Sequence, residues 1–253
     1  MEYNNNVISV IIPAYNAEKY IGQTLESVLA QNCDELEILV IDDCSKDGTL
    51  EIVKKYSEQY PQIKVIELTV NSGVAVARNT AIERATGRYI AFMDSDDLWE
   101  RNKISAQIKL MQDKDATMSF TAIDMIDDSG NCVKGKRKIK TVVDYKVLLH
   151  NTVIPTSSIV IDREKSGDFR MPLLRSGQDY ATWLMLLRNG VKAYGIDEAL
   201  VHYRVGHKSL SSNKLKSIKQ VYTIQTQQEK ICKISAAYNT VCFAFNALKK
   251  YLF

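Results

Sequence analysis

The strongest constraint on the fold is a rhythm. Between Val7 and Trp99, short apolar runs suited to buried strands alternate four times with stretches of helical spacing. Val7 to Ile12 reads as a strand stopped by Pro13, and Glu18 to Gln31 as a helix with Ile21, Leu25, Val28 and Leu29 on one face. Glu37 to Ile41, Ile63 to Leu68 and Tyr89 to Met93 are the next strands. Leu50 to Tyr60 and Gly73 to Ala85 are the helices between them, the latter closed by Gly87. Such alternation predicts an α/β chain with a mostly parallel central sheet and helices on both faces. Ligands of such sheets bind beyond the carboxyl ends of the strands. The polar residues collect there: Ala14-Tyr15-Asn16, Asp42-Asp43, Asn71-Ser72-Gly73 and Asp94-Ser95-Asp96, one group after each strand.

The fourth strand end is the most unusual, with Asp94, Asp96 and Asp97 inside four residues. Such carboxylates repel one another, and a hard divalent cation such as Mg²⁺ or Mn²⁺ relieves the repulsion. An acidic loop capping the next helix explains them equally well in isolation; four polar strand ends together favour a ligand site.

The second part has a different texture. Arg101 to Gln112 and Gln178 to Arg188 read as helices. Ala116 to Met125, Val153 to Ile161, Val191 to Ile196 and Ala199 to Arg204 read as strands, with Pro155 putting the second of these near a sheet edge. Asp127 to Asn131 is a hairpin-type turn. Lys134 to Lys140 is a basic loop, either solvated or gripping phosphates. Five scattered cysteines without a C-x-x-C pair suggest neither a disulfide framework nor a zinc site, and so a reducing cytoplasm. No signal peptide or membrane span is expected. The net charge of +3 is unevenly spread: from Lys214 onward there are seven lysines and one acid, Glu229, so this tail carries +6 and the remainder −3. Ile231, Ile234, Tyr238, Val241, Phe245, Leu248 and Leu252 recur there at helical spacing. The stripe either packs on its own domain or a second subunit, or lies on an anionic bilayer. No nucleic-acid partner is expected.

The segments Ser9 to Asn16 (SVIIPAYN), Val40 to Thr49 (VIDDCSKDGT), Asn71 to Asn79 (NSGVAVARN) and Asp94-Ser95-Asp96, in this order, resemble the family 2 glycosyltransferases. The resemblance runs from about residue 7 to 212. It implies the GT-A fold, with a nucleotide-binding half over 1–99 and an acceptor-binding half over 100–212; the lysines and apolar spacing beyond it are read separately as a basic amphipathic helical tail over 213–253. It implies an inverting, metal-dependent transferase that takes a hexose or N-acetylhexosamine from a UDP-sugar. The acceptor would be a glycan, on undecaprenyl diphosphate in relatives that build O-antigen or capsule, which implies a cytoplasmic protein at the inner face of the membrane.

Residue by residue, Pro13, Tyr15, Asp43, Arg78, Asp94 and Ser95 match the nucleotide-binding positions. Tyr15 would stack on uracil and Asp43 accept its N3–H. Asp96 matches the ligand of Mn²⁺ or Mg²⁺, with His207 as a further metal or phosphate contact, and Arg204 and Lys208 are phosphate partners. Asp179, which follows Gln178 where the family usually has Glu, matches the catalytic base; read alone, it is an acid favoured at a helix N-terminus. A dinucleotide-dependent dehydrogenase fits poorly, because Pro13-Ala14-Tyr15-Asn16 replaces the required G-x-G-x-x-G turn. A non-catalytic nucleotide-sugar-binding protein is the alternative from another class.

Overall fold

The computed structural model describes residues 3–33, 35–151, 153–206 and 214–252. β1 (Asn4–Ala14), α1 (Ile21–Leu29), β2 (Leu36–Asp42), α2 (Thr49–Gln59), β3 (Ile63–Glu67), α3 (Val74–Arg84) and β4 (Gly87–Phe92) alternate as the pattern requires. Then follow β5 (Leu98–Trp99), α4 (Lys103–Asp113), β6 (Met118–Ile126), β7 (Cys132–Lys134), β8 (Val142–Val143) and α5 (Tyr145–Leu149). β9 (Val160–Asp162), α6 (Arg163–Ser166), α7 (Gln178–Leu186) and β10 (Ala193–Arg204) complete the sheet region. α8 (Lys214–Thr223) and α9 (Lys233–Leu252) close the chain, joined through a π-helical turn, Ile224–Gln228.

One sheet runs through the molecule in the order β3-β2-β1-β4-β9-β6-β10-β5, with β7 beside β6 and β8 beside β10. β1 to β4 are mutually parallel, β9 is antiparallel to both its neighbours, and β6 and β10 are parallel. Strand side chains alternate between faces. Ile11, Leu39 and Ile41 therefore enter one apolar cluster, while Val10, Ile12, Ile38 and Val40 enter another on the opposite side. Both faces are buried, which is why these strands read as unbroken apolar runs.

Four expectations need correction. β1 does not stop at Pro13 but carries it in register with Ile41. Ile11 and Pro13 point their backbone groups to the same side, toward β4, and β4 pairing ends at Ile11, so the missing N–H of Pro13 leaves no ladder bond unmade. Gly87 does not cap α3: it opens β4, where a Cβ would lie 2.4 Å from the Val7 carbonyl oxygen. The segment read as an edge strand from Val153 is a 3₁₀ turn, Thr156–Ser158, followed by β9 in the interior of the sheet. The two short strands after Val191 are one, β10, interrupted by register shifts near Ala199.

The tail is fastened to the body through Val221, Ile224 and Phe243, all in the larger apolar cluster. α9 does not dock through the stripe read from the sequence. It docks through Ala236, Asn239, Thr240 and Phe243, and Ile234, Tyr238, Val241, Phe245 and Leu248 face outward.

Candidate active site

The strand ends are tied together by side chains that the strands deliver. After β2, Asp42 is buried and accepts the Ser45 N–H at 3.0 Å, which shapes the turn. Asp43 reaches across to the loop after β3. Its Oδ1 accepts the Ser72 N–H at 2.7 Å and its Oδ2 the Gly73 N–H at 2.8 Å. Gly73 sits at φ +87°, a conformation that favours glycine, and this turns both amides toward Asp43 before α3 begins. Tyr15, just beyond β1, is 48% exposed. Pro13 does not offer such a surface; it is buried within the sheet.

α3 brings Arg78 under the fourth strand end. Its Nη2 meets Asp94 Oδ1 at 2.5 Å, and only 3% of the residue is exposed. Arg78 therefore enters the site by holding Asp94, not as an open phosphate fork. Asp94, Ser95 and Asp96 are all partly exposed, while Asp97 is buried. Burial pushes the Asp97 carboxyl well above the usual range, and the charges of Asp96 and Asp94 push it further.

The 3₁₀ turn supplies a connection that the sequence reading missed. The Asp94 N–H donates to Ser157 Oγ at 3.0 Å, and Ser157 Oγ donates to Asp97 Oδ2 at 2.6 Å. The neighbouring Thr156 Oγ1 donates to Asp179 Oδ2 at 3.1 Å. Two consecutive hydroxyls thus link the acidic strand end to the first turn of α7. Tyr203, on β10, senses both groups: burial raises its hydroxyl pKa first, followed by the charges of Asp97, Asp94, Asp96 and Asp179. The one available signal for this turn was three hydroxyl residues, Thr156-Ser157-Ser158, after a proline inside an otherwise apolar run.

Arg204, expected at the phosphates, is committed elsewhere. Its Nε donates to the Asp96 carbonyl at 2.8 Å, Nη1 to the carbonyls of Asp127 and Asp128 at 2.8 and 3.1 Å, and Nη2 to Gln23 at 2.9 Å. Its guanidinium also lies over the Tyr20 ring, and its backbone N–H donates to Asp97 Oδ1. It fixes the backbone beneath the acidic loop. His207 and Lys208 lie outside the described residues. In the basic loop, Lys136 pairs with Asp197 at 3.0 Å.

Among the described residues, no three His, Cys, Asp or Glu side chains gather into a closed metal cage. Mg²⁺ and Mn²⁺ are commonly held by one or two carboxylates together with substrate phosphates. The partly exposed Asp96, an oxygen ligand beside the Arg78-held Asp94, fits that mode.

Comparison with known proteins agrees with this architecture. The model of the family described as glycosyl transferase family 2 matches residues 9–166. A putative teichuronic acid biosynthesis glycosyltransferase, TuaG of Bacillus subtilis, is 41% identical over 97% of this chain and 98% of its own length. The Escherichia coli enzyme WfgD, named as a UDP-Glc:alpha-D-GlcNAc-diphosphoundecaprenol beta-1,3-glucosyltransferase, is 35% identical over 86% of this chain and 85% of its own. Among solved structures, S. aureus TarS 1-349 in complex with UDP superposes with a TM-score of 0.70 at 25% identity, covering 93% of this chain and 70% of that one. The sheet and its helices are thus those of the GT-A fold. A match over most of the sheet region, joined to relatives above the 30% level along nearly the whole length, makes this chain a glycosyltransferase of family 2.

Proposed function

We propose that the enzyme moves a hexose or N-acetylhexosamine from a UDP-sugar, with inversion, to a hydroxyl of a glycan carried on undecaprenyl diphosphate, in the assembly of a bacterial surface polysaccharide. The observation that carries the reading is the hydroxyl turn, which ties Asp179 through Thr156 and the Asp94–Asp97 strand end through Ser157. A displacement with inversion needs two such poles: one for the departing diphosphate and one for the incoming alcohol. The names of TuaG and WfgD, and UDP and UDP-GlcNAc in TarS, support the donor and acceptor classes.

In this reading the uracil stacks on Tyr15, and its N3–H donates to Asp43. The backbone amides of Ser72 and Gly73 already orient that carboxylate, and each oxygen retains a lone pair. Arg78 steadies Asp94 near the ribose, and Ser95 lies beside the phosphates. Mn²⁺ or Mg²⁺ held at Asp96 would neutralise charge on the leaving diphosphate. Asp179 takes the proton of the acceptor hydroxyl. The oxygen's electron pair forms the bond to the anomeric carbon as the carbon–oxygen bond to UDP breaks, and UDP leaves with that pair. Thr156 holds one Asp179 oxygen and leaves the other for the proton. His207 and Lys208 follow β10 and are proposed to contact the metal or the diphosphate. The halves 1–99 and 100–212 then serve donor and acceptor, and the tail serves the cytoplasmic membrane face, where a lipid-linked acceptor resides.

The test is release of UDP from a panel of UDP-sugars with Mn²⁺ and a lipid-diphosphate-linked acceptor. Asp179→Asn should keep UDP binding and lose about 100-fold or more in turnover. Near-normal turnover would remove Asp179 from the role, and UDP binding without turnover in the unaltered protein would favour a binding protein.

A further inference from the structure

α9 presents a face that its own domain leaves mostly open, although one edge of the Tyr238 ring meets His150 at 5.9 Å. Ile234, Tyr238, Val241, Phe245 and Leu248 are between 58% and 84% exposed. Their spacing of four, three, four and three residues lines them along one side of a helix. The opposite side is fixed. Asn239 bonds His150 at 2.9 Å and Gln225 at 3.0 Å, Asn246 bonds the His150 carbonyl at 3.2 Å, and Phe243 meets the Tyr180 ring edge-on at 6.2 Å. The helix is therefore latched in one orientation with its apolar side outward. Tyr180 follows Asp179 in α7, so the latch ends on the helix that carries the proposed base.

Two occupants could cover such a face: a second copy, or a membrane. The four-three spacing is that of a coiled-coil seam, and a seam selects its partner through charged pairs beside it. The positions flanking this seam are Ser235, Ala237, Cys242, Ala244 and Lys249, a single cation with no acid beside the seam to pair with it. The charge of the tail also opposes self-association. Of its eight charged residues seven are lysines, and the one acid, Glu229, is ion-paired to Arg188 at 2.7 Å. Two copies would bring like charge together. An anionic lipid surface would meet apolar side chains with its acyl boundary and lysines with its headgroups. Lys219, Lys230 and Lys233 are exposed, and Lys249 and Lys250 follow the stripe. No helix among the described residues is long and apolar enough to cross a membrane, so the helix would lie in the interface plane.

We infer that the outward face of α9 docks this enzyme on an anionic bilayer, apolar side down. The docking holds α7, and with it Asp179, in a fixed orientation to the surface from which a lipid-linked acceptor would rise. The inference rests on the lipid-linked reading for its purpose only. Vesicles that contain no acceptor test it alone, so its failure and a failure of that reading are distinguishable.

The experiment is co-sedimentation of the full chain with phosphatidylglycerol-containing vesicles and with pure phosphatidylcholine vesicles, beside a measurement of mass in solution. The unaltered protein should bind the anionic vesicles at least about tenfold more tightly than the neutral ones. Val241→Asp/Phe245→Asp should weaken that binding by more than about tenfold. Both side chains are exposed, and an unchanged melting temperature would certify the fold. Lys219→Glu/Lys233→Glu should weaken binding to anionic vesicles alone. No binding by the unaltered protein, equal binding by Val241→Asp/Phe245→Asp, or a dimer that this variant converts to monomer would each overturn the inference.

Discussion

Thr156 and Ser157 are adjacent, yet one hydroxyl bonds Asp179 and the other the Asp94–Asp97 strand end, so under the proposed mechanism removing each one separately should give different kinetics. Ser157→Ala removes the 2.6 Å bond to Asp97 and leaves the Asp94 N–H without its acceptor. Ser157 is 1% exposed, so water cannot readily replace either contact. A lost buried bond to a carboxyl and an orphaned amide each cost about 1–3 kcal/mol, so roughly 3 kcal/mol is expected together. For a chain of this size that lowers the melting temperature by about 6–12 °C. Because the Asp94–Asp97 strand end is proposed to serve the donor, the KM for the UDP-sugar and the metal requirement should rise. Thr156→Val keeps the shape and removes only the 3.1 Å bond to Asp179. It should cost little stability and leave the donor KM within about twofold, while kcat falls about tenfold, equivalent to about 1.4 kcal/mol. Initial rates against UDP-sugar concentration, with thermal melts of both variants, decide the matter. Identical kinetic signatures for the two variants would refute the division of the turn between donor and base.

Three further outcomes follow from buried residues. Lys103 is fully buried, its ammonium lies 3.9 Å from the Trp99 ring centroid without a hydrogen-bond partner, and burial drives its pKa well below 10.5. Lys103→Met should therefore raise the melting temperature. In the unaltered protein the unfolded chain binds the extra proton, so stability should climb as pH rises toward 10.5, and the advantage of the variant should shrink over that window; a lower melting temperature for Lys103→Met at neutral pH would contradict this. Arg204→Lys cannot reproduce the four guanidinium bonds, and should destabilise by about 3–5 kcal/mol; an unchanged melt with a raised donor KM would restore Arg204 to the phosphates. Gly87→Ala drives a methyl against the Val7 carbonyl and should cost about 1–3 kcal/mol, visible as a lower denaturant midpoint. An unchanged midpoint would mean that the β1–β4 spacing yields freely.

How far such a site can be read from sequence depends on how local its causes are. The first four strands were legible because each strand, its terminal polar group and the following helix are contiguous, and burial on both faces imposes an unbroken apolar run. Asp43, Asp94 and Asp96 stand where that rule put them. The errors began where a residue's role is set by a partner distant in the chain. Arg204 was expected at the phosphates, but it is spent on carbonyls 76 and 77 positions away and on Gln23. Thr156 and Ser157 looked like part of a strand, because an apolar run with β-branched residues has the same period whether it pairs directly or turns first. The apolar stripe of α9 was legible as periodicity, but periodicity gives the existence of a face and not its direction. Its direction is decided by Asn239 and Phe243, whose polar and aromatic contacts to His150, Gln225 and Tyr180 are specific, whereas an apolar face is satisfied by any apolar neighbour. A helix with one specific side and one indiscriminate side docks by the specific one, and so delivers the other to whatever lies outside.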